Sequence, residues 1–459
     1  MKQSFSTLSL RPELLKAIDD LGFEGMTDIQ AQSLPILLEG KDVLGQAKTG
    51  SGKTVTFALG VLQQLEPKDL HVQSLVMCPT RELAEQVAEE IRSLAKQLEN
   101  VKVLTLCGGA PMGPQISSLS HGAHVIVGTP GRIMEHVLKR RLMLNKVNTF
   151  VLDEADRMLD MGFEEEMDIV IRHISNARQT LLFSATLNDQ VKQVSHHIQR
   201  NPQFVHVTST HDEQKIEQLF FEVDESHKVK AAAALISECQ PNATIIFCNK
   251  KVTAQEVADE LSMMGVPALA LHGDLEQRAR TEVLVRFENQ SCRVLVATDV
   301  AARGIDVKGV DLVINYHVSE DPDAHIHRIG RTGRADASGR AYSLVSPSEI
   351  SRVHAIEEVA GFKAKWKGIQ SMRFHANRIT ESEFSTLAID GGKKAKLRPG
   401  DILGALTKEA DVPGEDIGKI KVTATHAYVA IKSRSVKRSM RQFREGKIKG
   451  KKFKARKLS

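Results

Sequence analysis

Short apolar runs alternate with amphipathic stretches along the first 205 residues of the chain. The runs are three to six residues long and occupy residues 74–78, 101–106, 125–127, 149–152 and 180–183. Strands that are buried on both faces of a parallel sheet read as continuous apolar runs rather than as an alternation. The pattern therefore predicts an α/β domain whose parallel sheet is covered by helices on both faces, with ligand chemistry at the carboxyl ends of the strands.

A second block, from residue 216 to 365, repeats this pattern. Its runs at residues 244–249 and 294–299 echo those at 74–80 and 125–130, which indicates an old duplication. Because a single core stops growing near ~250 to 300 residues, a chain of 459 residues is expected to form several domains. We predict an α/β domain at residues 1–205, a linker at 206–215 and a second α/β domain at 216–365. A second linker at 366–382 and a small final domain at 383–459 follow.

The last segment of the chain, called the tail below (residues 383–459), has its own pattern and charge. Strand-like and helical stretches follow one another in the order βαββαβ, which predicts a small α+β domain of the RNA-recognition type, with elements at 384–389, 400–406, 417–422, 427–431, 436–443 and 447–458. Residues 391–459 hold 20 Lys and Arg against 6 Asp and Glu, whereas the whole chain has a formal charge of only +5. This basic surplus favours nucleic acid as the partner of the tail.

Aromatic side chains are sparse in the tail. Tyr428, Phe443 and Phe453 do not reproduce the aromatic-rich signature with which RNA-recognition domains stack bases. Recognition through loops and the basic edge is therefore at least as well supported as recognition through the sheet face.

Composition narrows the class of protein. The N-terminus lacks a charged segment followed by an apolar one, and no apolar run approaches the ~20 residues of a membrane span, so we expect a cytoplasmic protein without membrane contact. The five cysteines have no paired spacing and mostly lie in apolar contexts, which favours buried reduced thiols over disulfides or a zinc site.

A glycine-rich segment follows the first short apolar pair and precedes a helix-compatible stretch. It consists of Ala47, Lys48, Thr49, Gly50, Ser51, Gly52, Lys53 and Thr54. The two glycines let backbone N–H groups turn towards a polyphosphate, Lys53 supplies a charge for its β and γ phosphates, and Thr54 offers a hydroxyl to Mg²⁺. The segment predicts a phosphate-binding loop, although the usual pattern has glycine in place of Ala47.

Two acidic residues follow a later apolar run. Asp153 comes directly after residues 150–152, and Glu154 is next to it. The first carboxylate can hold Mg²⁺ through water, and the second can orient an attacking water molecule. Two acids at this position can also simply cap the next helix. The phosphate loop upstream favours the catalytic interpretation.

The second block has no phosphate loop but is rich in arginine. Residues 301–306 read Ala-Ala-Arg-Gly-Ile-Asp, and residues 327–334 read His-Arg-Ile-Gly-Arg-Thr-Gly-Arg. An arginine brought to a γ-phosphate from another domain can raise the rate of phosphoryl transfer by ~10³ to 10⁵. We therefore expect the two blocks to close on ATP between them.

With these segments in order, residues 1–365 resemble the DEAD-box ATP-dependent RNA helicases of superfamily 2, in which Ala47 is ordinary. The resemblance implies two RecA-like parallel-sheet domains, followed here by a small α+β domain, and the use of ATP and Mg²⁺. It assigns the metal to Thr54 and Asp153, and catalysis to Lys53, Asp153, Glu154 as general base, and the arginine fingers Arg331 and Arg334. It assigns adenine and ribose to Phe23, Gln30 and Asp306. It assigns the coupling of hydrolysis to strand separation to Ser184, Thr186 and His327.

The resemblance also implies a path for RNA. In the two α/β domains the implied contacts are Pro79, Thr80, Arg81, Gly108, Gly109, Thr129, Pro130, Gly131, Arg132, His272, Gly273, Gln277, Arg280 and Thr298. The tail resembles that of the bacterial members of the family that recognise 23S ribosomal RNA, and its candidate contacts are Lys393, Lys394, Lys396, Lys449, Lys451 and Lys452.

These observations favour an RNA-dependent ATPase that separates short duplexes after the tail docks on structured RNA. The expected partners are 23S ribosomal RNA and the pre-50S particle, and the expected oligomeric state is a monomer. Two alternatives are a DNA helicase on the same two domains, and an RNA-binding assembly factor that uses ATP as a clamp without productive unwinding. The segment around Gln30 and the residues at 153–156 and 184–186 argue against the DNA helicase.

Overall fold

The computed structural model describes residues 3–47, 50–207, 216–302, 309–333, 338–369 and 372–458. The described chain divides into two compact units, one on each side of residues 208–215. No helix in these ranges is both long enough and apolar enough to cross a membrane. The five cysteines all lie in the described ranges and are unpaired, and burial raises the pKa of Cys107 and Cys248 to about 12.

The first unit is built on a parallel sheet of seven described strands in the order β3-β4-β2-β5-β6-β1-β7. The strands are β1 Val43–Gln46, β2 Ser74–Met77, β3 Val103–Leu106, β4 Val125–Gly128, β5 Thr149–Asp153, β6 Gln179–Ser184 and β7 Gln203–His206. The helices are α1 Pro12–Asp20, α2 Asp28–Leu38, α3 Lys53–Gln63, α4 Arg81–Leu94, α5 Met112–Leu119, α6 Pro130–Leu138, α7 Ala155–Asp160, α8 Glu164–Ile171 and α9 Asp189–Ile198.

Both faces of this sheet are buried. Val76 and Cys78 belong to one apolar cluster, whereas Leu75 and Met77 belong to another. Since successive side chains of a strand point to opposite faces, the two clusters are the two faces of one sheet. The strands appear in the sequence as continuous apolar runs because both faces of the sheet are buried.

The second unit begins with a parallel sheet of six described strands in the order β10-β11-β9-β12-β13-β8. They are β8 Ile216–Glu222, β9 Thr244–Cys248, β10 Ala268–Leu271, β11 Val294–Thr298, β12 Leu312–Asn315 and β13 Gly339–Val345. The helices are α10 Lys228–Cys239, α11 Lys251–Met263, α12 Gln277–Glu288, α13 Asp299–Ala302, α14 Pro322–Ile329 and α15 Ile350–Ala360. The order equals that of β3, β4, β2, β5, β6 and β1, which supports the predicted duplication.

The tail forms a four-stranded antiparallel sheet within the second unit, in the order β15-β16-β14-β17. Its elements are β14 Phe384–Ile389, α16 Pro399–Gly404 with a π-helical turn at Ala405–Glu409, β15 Ile417–Val422, β16 Ala427–Lys432, α17 Val436–Glu445 and β17 Ala455–Lys457. The fold class predicted from the sequence, two parallel-sheet domains and a small α+β domain, is therefore confirmed.

The predicted final strand is wrong in extent. Residues 447–458 were expected to form one basic strand, but the strand covers only Ala455–Lys457. Gly450 has a φ of 75°, and Ile448 pairs with Lys451 across a tight turn. The backbone therefore turns at residues 448–451, and Lys449, Lys451 and Lys452 lie in a loop instead of a strand.

One face of the tail's sheet is covered by α12 of the same unit. Val285 from α12 packs against Ala388, Tyr428 and Leu458, and all four are buried. Leu387 and Ile389, whose side chains point to the other face of the sheet, belong instead to the tail's own core. The face on which an RNA-recognition domain usually stacks bases is therefore occupied by protein in this chain.

Polar contacts surround this apolar centre. Asn289 Nδ2 donates a hydrogen bond to Thr386 Oγ1 at 3.2 Å, and the hydroxyls of Ser291 and Thr386 lie 2.7 Å apart. Lys421 Nζ reaches both carboxylate oxygens of Glu288, at 3.1 and 3.0 Å. The interface thus has an apolar middle with a hydrogen-bonded rim.

The middle of α12 contributes a bridging carboxylate. Glu282 Oε1 accepts from Arg456 at 2.5 Å and from Arg278 at 3.1 Å. Burial opposes ionisation of this carboxyl, but the hydrogen bonds from the two arginines hold its pKa below the ordinary value. The carboxylate is therefore charged at neutral pH and joins the tail to the helix.

Val285→Glu is expected to detach the tail from α12, because it places a carboxylate against Tyr428 and Leu458 without a partner. NMR relaxation should then report faster tumbling for the tail than for the rest of the second unit. Val252→Glu is the matched control, since Val252 is 60 % exposed on α11. Equal tumbling of the two parts in Val285→Glu would contradict this account of the interface.

Candidate functional site

The phosphate loop lies between β1 and α3. β1 ends at Gln46, and α3 begins at Lys53. Gly50 and Gly52 have φ values of 84° and 99°, which favour glycine. The buried ammonium of Lys53 donates to the carbonyl of Ala47 at 2.5 Å. Lys53 therefore lies at the N-terminus of a helix and contacts the first residue of the loop, and backbone N–H groups at such a terminus attract anions.

Gln30 holds the start of α2 against this loop. Its Oε1 accepts from the backbone N–H of Thr27 at 2.8 Å, and its Nε2 donates to the carbonyl of Gly52 at 3.3 Å. A Cβ on Gly52 would lie 2.7 Å from Gln30 Nε2, so only glycine fits there. Phe23 is partly buried, with its ring 6.5 Å from that of Phe5. Of the two residues predicted to bind adenine, Gln30 thus contacts the phosphate loop at Gly52, and Phe23 packs beside Phe5.

The acidic pair follows β5. Asp153 is buried, and its Oδ1 has no hydrogen-bond partner among the described residues. Burial raises the pKa of this carboxyl to about 7, and the charge of Glu154 adds to the rise, whereas Lys53 opposes it. A buried carboxylate oxygen without a partner fits a residue that holds Mg²⁺ through water, with Thr54 as the other candidate contact.

Glu154 has a strained backbone. Its φ of 55° and ψ of 54° lie in the left-handed region, and it is the residue that precedes α7. A non-glycine residue in this region costs of order 1 to 3 kcal/mol and is held there by its surroundings. Glu154 therefore occupies the bend between β5 and α7, directly after Asp153.

Asp156 connects the acidic segment to the end of β6. Its Oδ2 accepts from the backbone N–H and from the hydroxyl of Thr186, both at 3.0 Å. Its own N–H donates to Ser184 Oγ at 3.3 Å. Both predicted coupling residues of the first unit therefore contact Asp156, Thr186 through the carboxylate and Ser184 through the backbone N–H, and sequence reasoning had not singled out this residue.

Three of the predicted RNA-contacting segments meet at residues 108–110. The guanidinium of Arg81 lies over Gly109, where a Cβ would come within 1.8 Å of Nη1. Arg132 donates to the carbonyl of Ala110 at 3.0 Å. Thr80 caps α4 by accepting from the N–H of Leu83 at 3.3 Å. Pro79, Gly108 and Thr129 lie in the loops that follow β2, β3 and β4, and Pro130 and Gly131 begin α6.

Gln115 stabilises this cluster from below. Its Nε2 donates to the carbonyl of Cys107 at 3.0 Å, and its Oε1 lies 3.0 Å from Arg132 Nη1 and 3.0 Å from His136 Nε2. The buried amide thus links the loop after β3 to Arg132 and His136 of α6.

The predicted RNA contacts of the second unit lie at the carboxyl ends of β10 and β11. Arg280 Nη1 donates to the carbonyl of His272 at 3.4 Å, and Gln277 begins α12. A Cβ at Gly273 would meet open space, and Thr298 ends β11. These residues share one edge of the second sheet.

Arg328 ties the arginine-rich segment to three other parts of this unit. Its guanidinium binds both oxygens of Asp299 at 2.6 Å, the carbonyl of His317 at 2.7 Å and Asn249 Oδ1 at 2.8 Å. It also lies over the Phe247 ring, 5.4 Å from its centroid. All of its charge is satisfied inside the domain, so Arg328 holds α14 in place and is not available to a ligand.

Two predicted site residues of this segment, His327 and Arg331, lie in the described ranges. His327 is partly buried, and its Nδ1 lacks a partner among the described residues. Arg331 follows the end of α14 and is 7 % exposed. Four predicted site residues lie outside the described ranges: Lys48, Thr49, Asp306 and Arg334.

Sequence reasoning missed five residues that organise these sites: Gln115, Asp156, Asn249, Asp299 and Arg328. Asp156 and Arg328 stood inside segments that had been noticed, but nothing in the sequence distinguished their buried role from that of their neighbours. Asn249 and Asp299 directly follow β9 and β11, and that position was their only signal. Gln115 carried no signal.

Comparison with protein families assigns three parts of the chain. Residues 27–194 match the DEAD/DEAH box helicase family, residues 227–336 match the helicase conserved C-terminal domain, and residues 386–457 match the DbpA RNA-binding domain. The chain is 50% identical over 457 residues to the ATP-dependent RNA helicase DbpA of Escherichia coli, a match that covers 99% of each chain.

More distant relatives match the first two parts. The DEAD-box ATP-dependent RNA helicase CshA of Geobacillus kaustophilus is 43% identical over 355 residues, or 77% of this chain and 76% of its own. The structure of S. cerevisiae Dbp5 bound to RNA and ADP BeF3 superposes with a TM-score of 0.74 at 32% identity, and the match covers 80% of this chain and 96% of that one. The chain therefore belongs to the DEAD-box ATP-dependent RNA helicases and ends in an RNA-binding domain of the DbpA type.

Proposed function

We propose that this RNA helicase remodels structured 23S ribosomal RNA in the pre-50S particle, as a monomer in the cytoplasm, and that the tail delivers the RNA to the two α/β domains. The observation that carries the proposal is the attachment of the tail to α12, whose first turn holds the predicted RNA contacts Gln277 and Arg280. The match of residues 386–457 to the DbpA RNA-binding domain supports the choice of RNA.

In this proposal, residues of the first unit bind the phosphates of ATP, hold Mg²⁺ and activate the attacking water. Lys53 and the N-terminus of α3 neutralise the phosphates, and Thr54 with Asp153 would hold Mg²⁺, which would supply charge neutralisation between the phosphates. Glu154, at the bend between β5 and α7, accepts a proton from the attacking water. The contacts of Asp156 with Ser184 and Thr186 transmit changes at the acidic segment to the end of β6.

Phosphoryl transfer needs a further positive charge in the transition state, which we assign to Arg331 and Arg334 of the second unit. An arginine that arrives only when the two units close makes hydrolysis depend on closure. Asp306 and His327 would then contribute to the ribose contact and to the link between units, as the family resemblance implies.

RNA reaches the tail from one end of its sheet in this proposal. The sheet face is covered by α12, Tyr428 is 1 % exposed, and Phe443 is buried in the tail's core, so base stacking on that face is excluded. The candidate contacts are exposed side chains of loops at the carboxyl end of β14 and the amino end of β17: Lys393, Lys394, Lys396, Lys449, Lys451 and Lys452.

These loops are neighbours in space. The backbone N–H of Asp390 donates to the carbonyl of Lys454 at 2.8 Å, and a Cβ on Gly391 would collide with the Phe453 ring. Asp390 also acts electrostatically on Arg278, in the first turn of α12. The basic end of the tail and the RNA-contacting end of α12 therefore lie on the same side of the interface, which favours one continuous RNA path.

Glu154→Gln is expected to keep ATP binding but to lower the rate of hydrolysis by ~10² to 10⁴, because the amide preserves size and hydrogen bonding but cannot accept a proton. The variant should hold RNA in a long-lived ATP complex, measured by RNA dissociation in the presence of ATP. Glu165→Gln, at an exposed position of α8, is the control. Parental turnover in Glu154→Gln would remove the assigned role.

Arg331→Ala is expected to lower kcat by ~10³ with a smaller change in the KM for ATP, since the charge that it stabilises develops mainly in the transition state. RNA-stimulated ATPase assays measure both quantities. Arg352→Ala tests a surface arginine of the same unit that pairs with Glu320 at 3.2 Å. A changed KM with kcat retained would contradict the assignment.

Lys451→Ala combined with Lys452→Ala should weaken the response to 23S ribosomal RNA several-fold and weaken the response to poly(A) as well, because a phosphate contact carries no sequence information. The salt dependence of binding to 23S ribosomal RNA should also decrease, by about 0.7 to 0.9 in slope for each lost phosphate contact. The measurement is ATPase activation by each RNA at fixed salt.

The matched control is Lys408→Ala combined with Lys419→Ala, which removes the same charge from exposed positions outside the loops at the basic end. If both double variants lose the same activation, the tail contributes only general electrostatic attraction, and the proposed 23S specificity fails. Equal activation of the parental protein by both RNAs would refute it directly.

A further inference from the structure

His325 is an unusual residue inside the second unit. It lies on the buried side of α14 and is 1 % exposed. Neither ring nitrogen has a hydrogen-bond partner among the described residues. Buried polar groups are nearly always hydrogen-bonded, so a buried imidazole without partners calls for a physical explanation.

The ring of His325 is part of an aromatic stack. It lies on the ring of Phe220 from β8, with the centroids 6.1 Å apart and the planes 23° from parallel. Phe220 in turn contacts Phe362 at 6.1 Å and Trp366 at 5.8 Å. The imidazole therefore works here as a flat ring that fills the space between α14 and the edge strand.

The next turn of α14 is fixed in a different way. Arg328 is held by the carboxylate of Asp299, by Asn249 and by a backbone carbonyl. Two different contacts therefore position this eight-residue helix. The hydrogen bonds of Arg328 fix its rotation about its own axis, and the ring of His325 fixes its distance from β8. Arg331 follows directly after this helix, so its position depends on both.

We propose that His325 is a positioning residue for Arg331: its ring acts as a neutral spacer that sets the height of α14 above β8. The inference rests on the transition-state role proposed for Arg331 above. A displacement of ~1 Å in a group that stabilises the transition state can cost up to ~10² in rate. Loss of the spacer should therefore lower kcat while ATP binding is kept.

The spacer works only as an uncharged ring. The charged groups acting on it are Arg328 of its own helix and Asp299 at the start of α13. Burial, with a smaller contribution from Arg328, lowers the pKa of His325 to about 3. Its neutral form therefore stabilises the fold fully above pH 6.5, and this contribution is lost as the pH falls from 6.5 towards 3.

The test compares His325→Ala with His325→Phe in the full-length protein, by RNA-stimulated ATPase kinetics and thermal unfolding. His325→Ala removes the ring and should lower kcat by about tenfold or more, with the KM for ATP within about twofold. His325→Phe keeps a flat ring of similar size without unpaired nitrogens, so it should retain kcat and raise the melting temperature.

His354→Ala is the control, because His354 is exposed on α15 and should change neither quantity. Parental kcat in a folded His325→Ala protein would overturn the inference. An equal loss in His325→Phe would also overturn it, since the ring nitrogens rather than the ring shape would then matter.

Two further measurements separate the possible failures. If Arg331→Ala keeps kcat, the proposed role of Arg331 fails. If Arg331→Ala loses kcat but His325→Ala does not, only the spacer is refuted. Thermal unfolding at pH 7 and pH 5.5 should show a smaller loss of stability in His325→Phe than in the parental protein, and an equal loss would contradict the neutral-ring account.

Discussion

Parallel pairing of β1, β5 and β6 is the constraint on which the nucleotide site depends. In this register Gln46 lies beside Ser184, and Asp153 lies beside Phe183, so the phosphate loop, the acidic segment and the segment after β6 all leave the sheet at one level. The N–H of Ala47 donates to the carbonyl of Ser184 at 3.0 Å, which continues the pairing into the loop. A shift of one residue would exchange the buried faces of each strand and separate the carboxylate from the lysine.

The same constraint explains why much of the fold could be predicted from the sequence. Strands buried on both faces have to be apolar throughout, so β2, β4, β5 and β6 stand out as short runs. Residues at their carboxyl ends are then brought together by topology alone, and this holds for Lys53, Asp153 and Ser184. Repetition of the strand order in the second sheet made residues 244–249 and 294–299 equally visible.

The residues that could not be predicted are polar groups whose partners are distant in the sequence. Arg328 finds Asp299, Asn249 and a carbonyl at position 317, and no local pattern distinguishes an arginine buried in this way from one that faces a ligand. Removal of one partner from such a buried pair typically costs 3 to 5 kcal/mol, because a charge is then left without compensation. Its importance lies in geometry that only the folded chain supplies.

The prediction of the final strand of the tail was wrong for a local reason. Alternating lysines at 447–454 resemble a half-exposed strand, but Gly446 and Gly450 interrupt it, and the turn at 448–451 puts the lysines into a loop. The attachment of the tail to α12 was equally invisible, because Val285 is one apolar residue among several on an amphipathic helix. Long-range packing, and not propensity, decides such contacts.

Helix α12 links the tail to the edge of the second sheet. Leu284 and Phe287 are buried on the same helix as Val285, which packs on the tail, and the helix begins with Gln277, one of the predicted RNA contacts. A helix held on more than one side cannot shift without moving both neighbours, since packed interiors deform little. Under the proposed function, the orientation of RNA bound by the tail would therefore be set by the helix that contributes Gln277 and Arg280. Recognition by the tail and remodelling by the α/β domains would then be joined through one packed helix.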